Sequence, residues 1–383
     1  MISGFRLRYG LFLQSDILLT SPKELNCEDA EFPTYHNYES GGFPLPDDRV
    51  SGLAQKTLTI NDHFAVAFSG RGDRIFSAIH LIRKLTVDNQ ELTSDRYLSA
   101  LRSDPELMDE NLSVIILAPA GDEVGITYHG PIRDFSTVNF DMVAGGSGAQ
   151  HAIDHFSQYP IEAFDVCDED IVAQGTCMAL EQFANHIIDE IDNQELAKSI
   201  TECFGGGYEI SAFYDGKINK VPDIVYAFAE ARFDEDMYLQ VEPPNFLMKT
   251  TYKDDNLLIR SLVNEVDPAD GFHKRRHDRT FTIAPITRFQ ESTVEEGCED
   301  VHFLGKFLCF IIKVRFGKFN SFTIPFIKKY NTFEDFVTKG FFPLPMAEHI
   351  TFKYSKEFNR DIHERVVAYM KKLEDFGKTL QEE

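Results

Sequence analysis

Few side chains in this sequence stand at spacings that reactive groups usually adopt. Cys27 and His36 could act as thiol and base, but both fall in a stretch rich in proline and glycine and read as ordinary loop residues. Cys298 and His302 stand at i, i+4, and a metal there would need further ligands that the sequence does not place beside them. The six cysteines form no CxxC pair, so neither a disulfide framework nor a zinc motif is implied, and no cofactor or metal is expected. The run His273-Lys274-Arg275-Arg276-His277-Asp278-Arg279 could hold a phosphate or an acidic partner, and reads more simply as a solvated loop. Taken alone, Lys56 is a strand-edge lysine, Ser147 a turn or N-cap serine between glycines, and Glu202 a helix-end carboxylate.

The elements that would position these residues follow from periodicity. Phe5 to Leu13 alternates apolar and polar residues as one strand, and Asp16 to Thr20 forms a second before Pro22. Residues 23 to 55 read as a long docked loop. Lys56 to Ile60 and Phe64 to Phe68 make a hairpin over Asn61-Asp62. From Arg74 the period becomes helical, with Ile75, Phe76, Ile79, Ile82 and Leu85 on one face. A helix over 94–101, a hairpin over 113–129, a helix after Gly148 and a long helix over 168–191 follow. The last of these has Leu180, Phe183, Ile187 and Ile191 inward. Tyr208 to Val221 closes the series as a hairpin over Asp215-Gly216. Segregated runs of this kind predict an α+β fold with antiparallel sheets.

Three stretches carry a resemblance. Lys56-Thr57-Leu58-Thr59-Ile60-Asn61-Asp62-His63-Phe64-Ala65-Val66-Ala67-Phe68-Ser69-Gly70 resembles the proteasome β-subunit segment that runs from its active-site lysine to a glycine helix entry. Ala144-Gly145-Gly146-Ser147-Gly148-Ala149 is similar to that family's Gly-Ser-Gly turn, and Phe204-Gly205-Gly206-Gly207-Tyr208 to its Ser-Gly-Gly turn. Residues 4–230 thus resemble a proteasome β-subunit or HslV-type domain of the N-terminal-nucleophile (Ntn) hydrolase fold. The resemblance implies a four-layer α-β-β-α sandwich. It also implies a hydroxyl nucleophile whose own α-amine is the base, tuned by a lysine. On this resemblance Lys56 is the lysine, Ser147 the serine beside the nucleophile, and Glu202 the acid ahead of the glycine turn. Counting back from the second strand puts Phe5 or Arg6 at the nucleophile's place, with Ser3 the nearby hydroxyl. The acid belonging at the end of the second strand would fall at Ser21-Pro22, where none stands.

The bulk composition narrows the class. With 43% apolar and 26% charged residues the chain reads as globular, and 383 residues favour two domains, 1–240 and 245–383, divided near Glu242-Pro243-Pro244. More than half of the 34 Phe lie from Phe246 onward, so the C-terminal part is a Phe-rich α+β domain or extension closed by a helix over 355–376. That helix's apolar face is covered by its own core or by a partner. The balance of 38 basic against 62 acidic residues, net −24, disfavours nucleic acid and anionic membrane surfaces. No signal-peptide run and no stretch of about 18 apolar residues is present, which suggests a cytoplasmic protein. Two readings stand: an Ntn-type peptide or amide hydrolase using Lys56, Ser147, Ser3 and Glu202, or a non-catalytic Ntn-fold subunit that self-associates or binds a protein partner.

Overall fold

The computed structural model describes residues 1–22, 30–34, 48–87, 92–108, 110–120, 123–193, 196–236, 238–266, 273–288, 290–298, 300–316, 320–345 and 350–382. Cys27, His36, Tyr35, Tyr38 and Phe43 of the predicted 23–55 loop lie outside these. The chain is mixed α+β with several sheets, 31% helix and 44% strand. It groups into two compact units interleaved in sequence: Met1–Val221 with Tyr252–Ile259 and Phe281–Val294, and Pro222–Thr251 with Arg260–Thr280 and Glu295–Glu383. Glu242-Pro243-Pro244 lies within the second.

The first unit opens with β1 (Ile2–Leu7), β2 (Gly10–Asp16), β3 (Leu18–Pro22), β4 (Asp48–Leu53), β5 (Thr57–Asn61) and β6 (Phe64–Gly70). Helices α1 (Gly72–Thr86) and α2 (Ser94–Ser103) follow, then β7 (Leu112–Ala120), β8 (Glu123–His129), β9 (Ile132–Ser136) and β10 (Phe140–Gly145). The series ends with α3 (Ala149–Ser157), α4 (Ile171–Asn193), the short α5 (Lys198–Thr201), β11 (Tyr208–Tyr214) and β12 (Lys217–Lys220). The strands form a six-stranded sheet, β12-β11-β2-β1-β10-β9, a four-stranded sheet, β5-β6-β7-β8, and a β3–β4 ribbon.

Alternation along β1 and β2 decides what each face meets. Ile2, Leu11 and Leu13 pack against Ala65, Ala67, Ile115 and Leu117 of the four-stranded sheet. On the other face Phe5 stacks on Phe12 at 4.7 Å, and Phe5 and Phe140 meet Phe156 of α3 at 5.1 and 5.2 Å. Gly175 brings α4 onto that face: a Cβ there would lie 2.2 Å from Phe12 Cζ. The outer face of the four-stranded sheet is covered by α1 and α2, through Ile75, Ala78, Ile79, Ile82 and Leu98. Phe76, expected inward, is instead 47% exposed, and Ala78 takes its place in the stripe. Thr93 caps α2 by accepting the Arg96 N–H.

The second unit contains β13 (Ile224–Phe233), β14 (Leu239–Val241), β15 (Phe246–Lys253), β16 (Asn256–Val266), β17 (His273–Ile283), β18 (Thr293–Glu296), β19 (Phe307–Phe316) and β20 (Asn320–Lys329), with the tips already noted grouped in the first unit. Then come α6 (Phe333–Lys339), the hairpin β21 (Phe341–Pro345) and β22 (Ile350–Tyr354), and α7 (Lys356–Glu382). The basic run at 273–279, expected as a loop, is strand. β13 and β19 pair in parallel from Ile224↔Phe307 to Arg232↔Arg315, beyond the run of elements for which antiparallel sheets were expected. Parallel pairing is possible because the connection between them is long enough for the chain to return to the same end. Phe358, Ile362 and Val366 of α7 bury into this unit's own core with Leu308, Phe310 and Phe341.

Candidate functional site

β2 is buried along its whole length and ends in a charged residue, Asp16, which is fully buried. A buried carboxylate is costly unless donors surround it, and four do. The Met1 α-amino group donates to Oδ1 at 2.5 Å and Lys56 Nζ to the same oxygen at 2.8 Å. The Leu18 and Gly205 N–H groups donate to Oδ2 at 3.0 and 3.1 Å. The resemblance puts the acid at Ser21-Pro22; in the structure the carboxylate beside Lys56 is Asp16. The reason is the first hairpin, which turns at Arg8-Tyr9, so that the second strand ends at Asp16.

Two basic groups share one carboxylate, and burial weighs against the charge on the amine. Burial alone would raise the Asp16 carboxyl, but Lys56 and the Met1 ammonium together hold it below the usual carboxylate range. Burial pushes the Met1 α-amine down to about 5 against the attraction of Asp16, with Lys56 pushing the same way. At neutral pH the amine has therefore given up its proton, while Lys56 Nζ stays within hydrogen-bond distance of Asp16. Such an amine can act as a base.

The residue bearing that amine is methionine. Its side chain is buried and accepts a hydrogen bond at Sδ from Gln182 Nε2 at 3.5 Å. Gly148 makes room for it, since a Cβ there would lie 2.8 Å from Met1 Cβ. Gly146, at φ +80°, closes on Ser69, whose Oγ would lie 2.2 Å from an added Cβ.

Of the predicted residues, Lys56 and Ser147 both line the cavity that Met1 enters. Ser147 is exposed there and donates to the Cys203 carbonyl at 3.2 Å. Ser3 and Glu202 are not among its lining. Ser3 lies within β1, fully buried, its Oγ accepting from Gln14 Nε2 at 2.7 Å, and Gln14 also donates to Gln182 at 2.6 Å. Its nitrogen is a peptide nitrogen of the ladder with Ala144 and Gln14. Glu202 is partly exposed and pairs with His151 Nε2 at 2.8 Å. The cavity measures about 1070 Å³; besides these groups, Leu18, Leu53, Phe68 and Ile75 line it, as do residues from the segment 285–294.

Three charged residues that sequence reasoning passed over hold this arrangement. Asp16 is one. Glu209 of β11, also buried, accepts from Ser15 Oγ at 2.8 Å and from the Thr57 N–H at 2.9 Å, tying the strand after Lys56 to the six-stranded sheet. Glu190 lies on the inner face of α4 where Ile191 was the predicted inward residue. It accepts from Thr34 Oγ1 at 2.5 Å, Ser199 Oγ at 2.8 Å, Tyr208 O–H at 2.8 Å and the Gly206 N–H at 3.3 Å. Burial raises it to about 7 despite those donors. Gly205 is glycine for the same reason: at φ +111°, a Cβ would lie 2.3 Å from Glu190 Oε1. The available signal was an acid embedded in an apolar run, as in Leu11-Phe12-Leu13-Gln14-Ser15-Asp16-Ile17-Leu18. Among the described residues no group of three or more His, Cys, Asp or Glu is placed to hold a metal ion, and no helix is long and apolar enough to cross a membrane. No family model matches the chain, and no curated protein sequence matches it either.

Proposed function

We propose that the first unit is an Ntn-type four-layer sandwich, helices on sheet on sheet on helices, that binds a peptide or amide group in its cavity without cleaving it. The layering of α1 and α2 on one sheet and α3 and α4 on the other supports the fold. The Lys56–Asp16 pair with its adjacent amine supports the placement of the site. One observation carries the non-catalytic reading: the residue placed against the Lys56–Asp16 pair, its nitrogen 2.5 Å from Asp16 Oδ1, is Met1, whose side chain offers no hydroxyl or thiol. A thioether sulfur carries no proton for the neighbouring amine to remove, so the usual activation has no substrate.

A second reading keeps hydrolysis. It draws on the lowered amine and on the Ser69 and Ser147 hydroxyls that line the same cavity. Incubating the full chain with an aryl sulfonyl fluoride, then mapping adducts by peptide mass spectrometry, separates the two. The binding reading predicts no adduct on any serine of the cavity and no turnover of a fluorogenic peptide-amide series. An adduct on Ser69 or Ser147 that abolishes measurable turnover establishes the hydrolase instead.

A further inference from the structure

The wall of the cavity includes a segment from far along the chain. Pro285, Ile286, Gln290, Glu291, Ser292 and Val294 line it, although the Met1–Lys56 cluster is built from the first 56 residues and the Gly205 turn. This segment is anchored beside Lys56. The Gln55 N–H donates to the Ala284 carbonyl at 3.1 Å, and the Ile286 N–H donates to the Gln55 carbonyl at 3.0 Å, a parallel bridge on the residue next to the lysine. Gln55 is fully buried, and its Nε2 also donates to the Ile283 and Asp255 carbonyls at 2.8 and 2.7 Å, while Oε1 accepts from Lys220 Nζ. Further along, Arg83 of α1 donates to the Thr287 carbonyl at 3.2 Å, and Arg288 Nη1 to Asn256 Oδ1 at 3.1 Å. Ile286 is buried in the core under α1 and α2.

Residues 283–288, held at this many points, fix one side of the wall, and the side chains that line the cavity set what fits. Pro285, Ile286 and Val294 add apolar surface to that of Leu18, Leu53, Phe68 and Ile75, in a cavity that polar side chains line as well, Lys56, Ser69 and Ser147 among them and Gln290, Glu291 and Ser292 from the segment itself. An apolar patch beside hydrogen-bonding side chains is the arrangement that orients a ligand with an apolar body and a hydrogen-bonding head. Resting on the binding role proposed above, we infer that Pro285, Ile286, Gln290, Glu291, Ser292 and Val294 form the specificity-determining wall of the Met1–Lys56 cavity, that they select amides bearing a large apolar side chain, and that Gln55 is the positioning residue joining wall to lysine.

The test uses the full chain with its methionine methyl groups carbon-13 labelled, the Met1 resonance being assigned through a Met1→Leu chain whose leucine is exposed by removing a cleavable leader. N-acetylphenylalanine amide and N-acetylglycine amide are titrated separately. Burying the phenyl group should favour the first by about tenfold or more, with the Met1 methyl shifting in both titrations. Val294→Ala and Gln290→Ala, at positions that are not in the buried core, should cut that preference to roughly threefold or less while the fold is retained. Gln55→Leu should shift the Met1 methyl in the ligand-free protein and weaken both amides, a response that a purely stabilising residue would not give in the folded protein. An unchanged preference in both wall variants overturns the inference, as does the absence of any Met1 shift with either amide. Cleavage of an amide would count against the non-catalytic reading alone, since the ratio of products would still report selection.

Discussion

Replacing Asp16 by Asn removes the charge that Lys56 and the Met1 amine share, while leaving size and shape nearly unchanged. If the Asn oxygen keeps the Leu18 and Gly205 N–H groups, its NH2 faces Lys56 Nζ, donor against donor. The amine escapes cheaply, because it is already neutral near pH 7. Lys56, 6% exposed, does not. Leaving one member of a buried pair uncompensated costs about 3–5 kcal/mol, a large share of the 5–15 kcal/mol or so that holds a typical domain. The sharper expectation is non-additive: Asp16→Asn with Lys56→Met should recover about 2 kcal/mol or more over Asp16→Asn alone, because the stranded charge is gone. Denaturant unfolding at pH 7, followed by tyrosine fluorescence and circular dichroism, measures both. An Asp16→Asn cost under about 1 kcal/mol, or a double variant that costs the sum of the singles, would refute the reasoning.

Two buried groups should tilt the pH profile in opposite directions. The Met1 amine, lowered from 8.0 to about 5, binds fewer protons folded than unfolded, so its contribution improves as pH rises from 5 to 8, by roughly 4 kcal/mol in full. Glu190, raised from 4.5 to about 7, binds more protons folded, so stability is lost as pH rises from 4.5 to 7, by roughly 3 kcal/mol. Unfolding midpoints from pH 4 to 9 should therefore climb more steeply with pH in Glu190→Gln than in the wild type; parallel profiles would remove Glu190 from the account. Gly175→Ala should destabilise by about 1–3 kcal/mol through its clash with Phe12, although alanine gains up to about 1 kcal/mol in a helix interior; a stabilised variant in thermal unfolding would show that α4 does not close on β2 as described. In the second unit Arg260 forks onto Asp278 at 2.8 Å through two nitrogens and donates to the Cys298 and Val301 carbonyls at 2.9 Å. Arg260→Met should cost about 3–5 kcal/mol, and Arg260→Lys should restore only part because it lacks the fork; full rescue by lysine in the same unfolding assay would count against that geometry.

Much of the first unit was legible because its turns and helices use strongly marked residues. Asp215-Gly216 turns its hairpin where expected, the hairpin expected over Asn61-Asp62 turns one residue later at Asp62-His63, and the stripe Ile75, Ile79, Ile82 buries as its period requires. The chemistry was less legible, and the first hairpin explains most of that. Phe5, Leu7, Tyr9, Leu11 and Leu13 alternate without a break, yet the chain reverses at Arg8-Tyr9, where Arg8 takes φ 52° and Tyr9 is 75% exposed. A turn whose two central residues are arginine and tyrosine, with Gly10 at its last position as the sole glycine, leaves little mark on a period-two pattern. Reading one strand there moved the count onto Phe5 and Arg6 and the acid onto Ser21-Pro22, whereas the structure brings Met1 and Asp16 together. Glu190 was hidden for a different reason. Helical faces are assigned from apolar residues, and a carboxylate that buries because four donors await it looks, in sequence, like a solvated neighbour of Ile191. The parallel β13–β19 pair depends on a connection with no local signature at all.

The most direct test of the central claim places a nucleophile where Met1 stands. A Met1→Thr chain, with its threonine exposed by removing a cleavable leader, should acquire a covalent adduct with a peptide electrophile that reacts with hydroxyl and amine together, and Lys56→Met in that background should abolish it. The wild type, treated alike and checked by intact mass, should remain unmodified. Equal labelling of the wild type, or a Met1→Thr chain that stays inert while folded, would contradict the account.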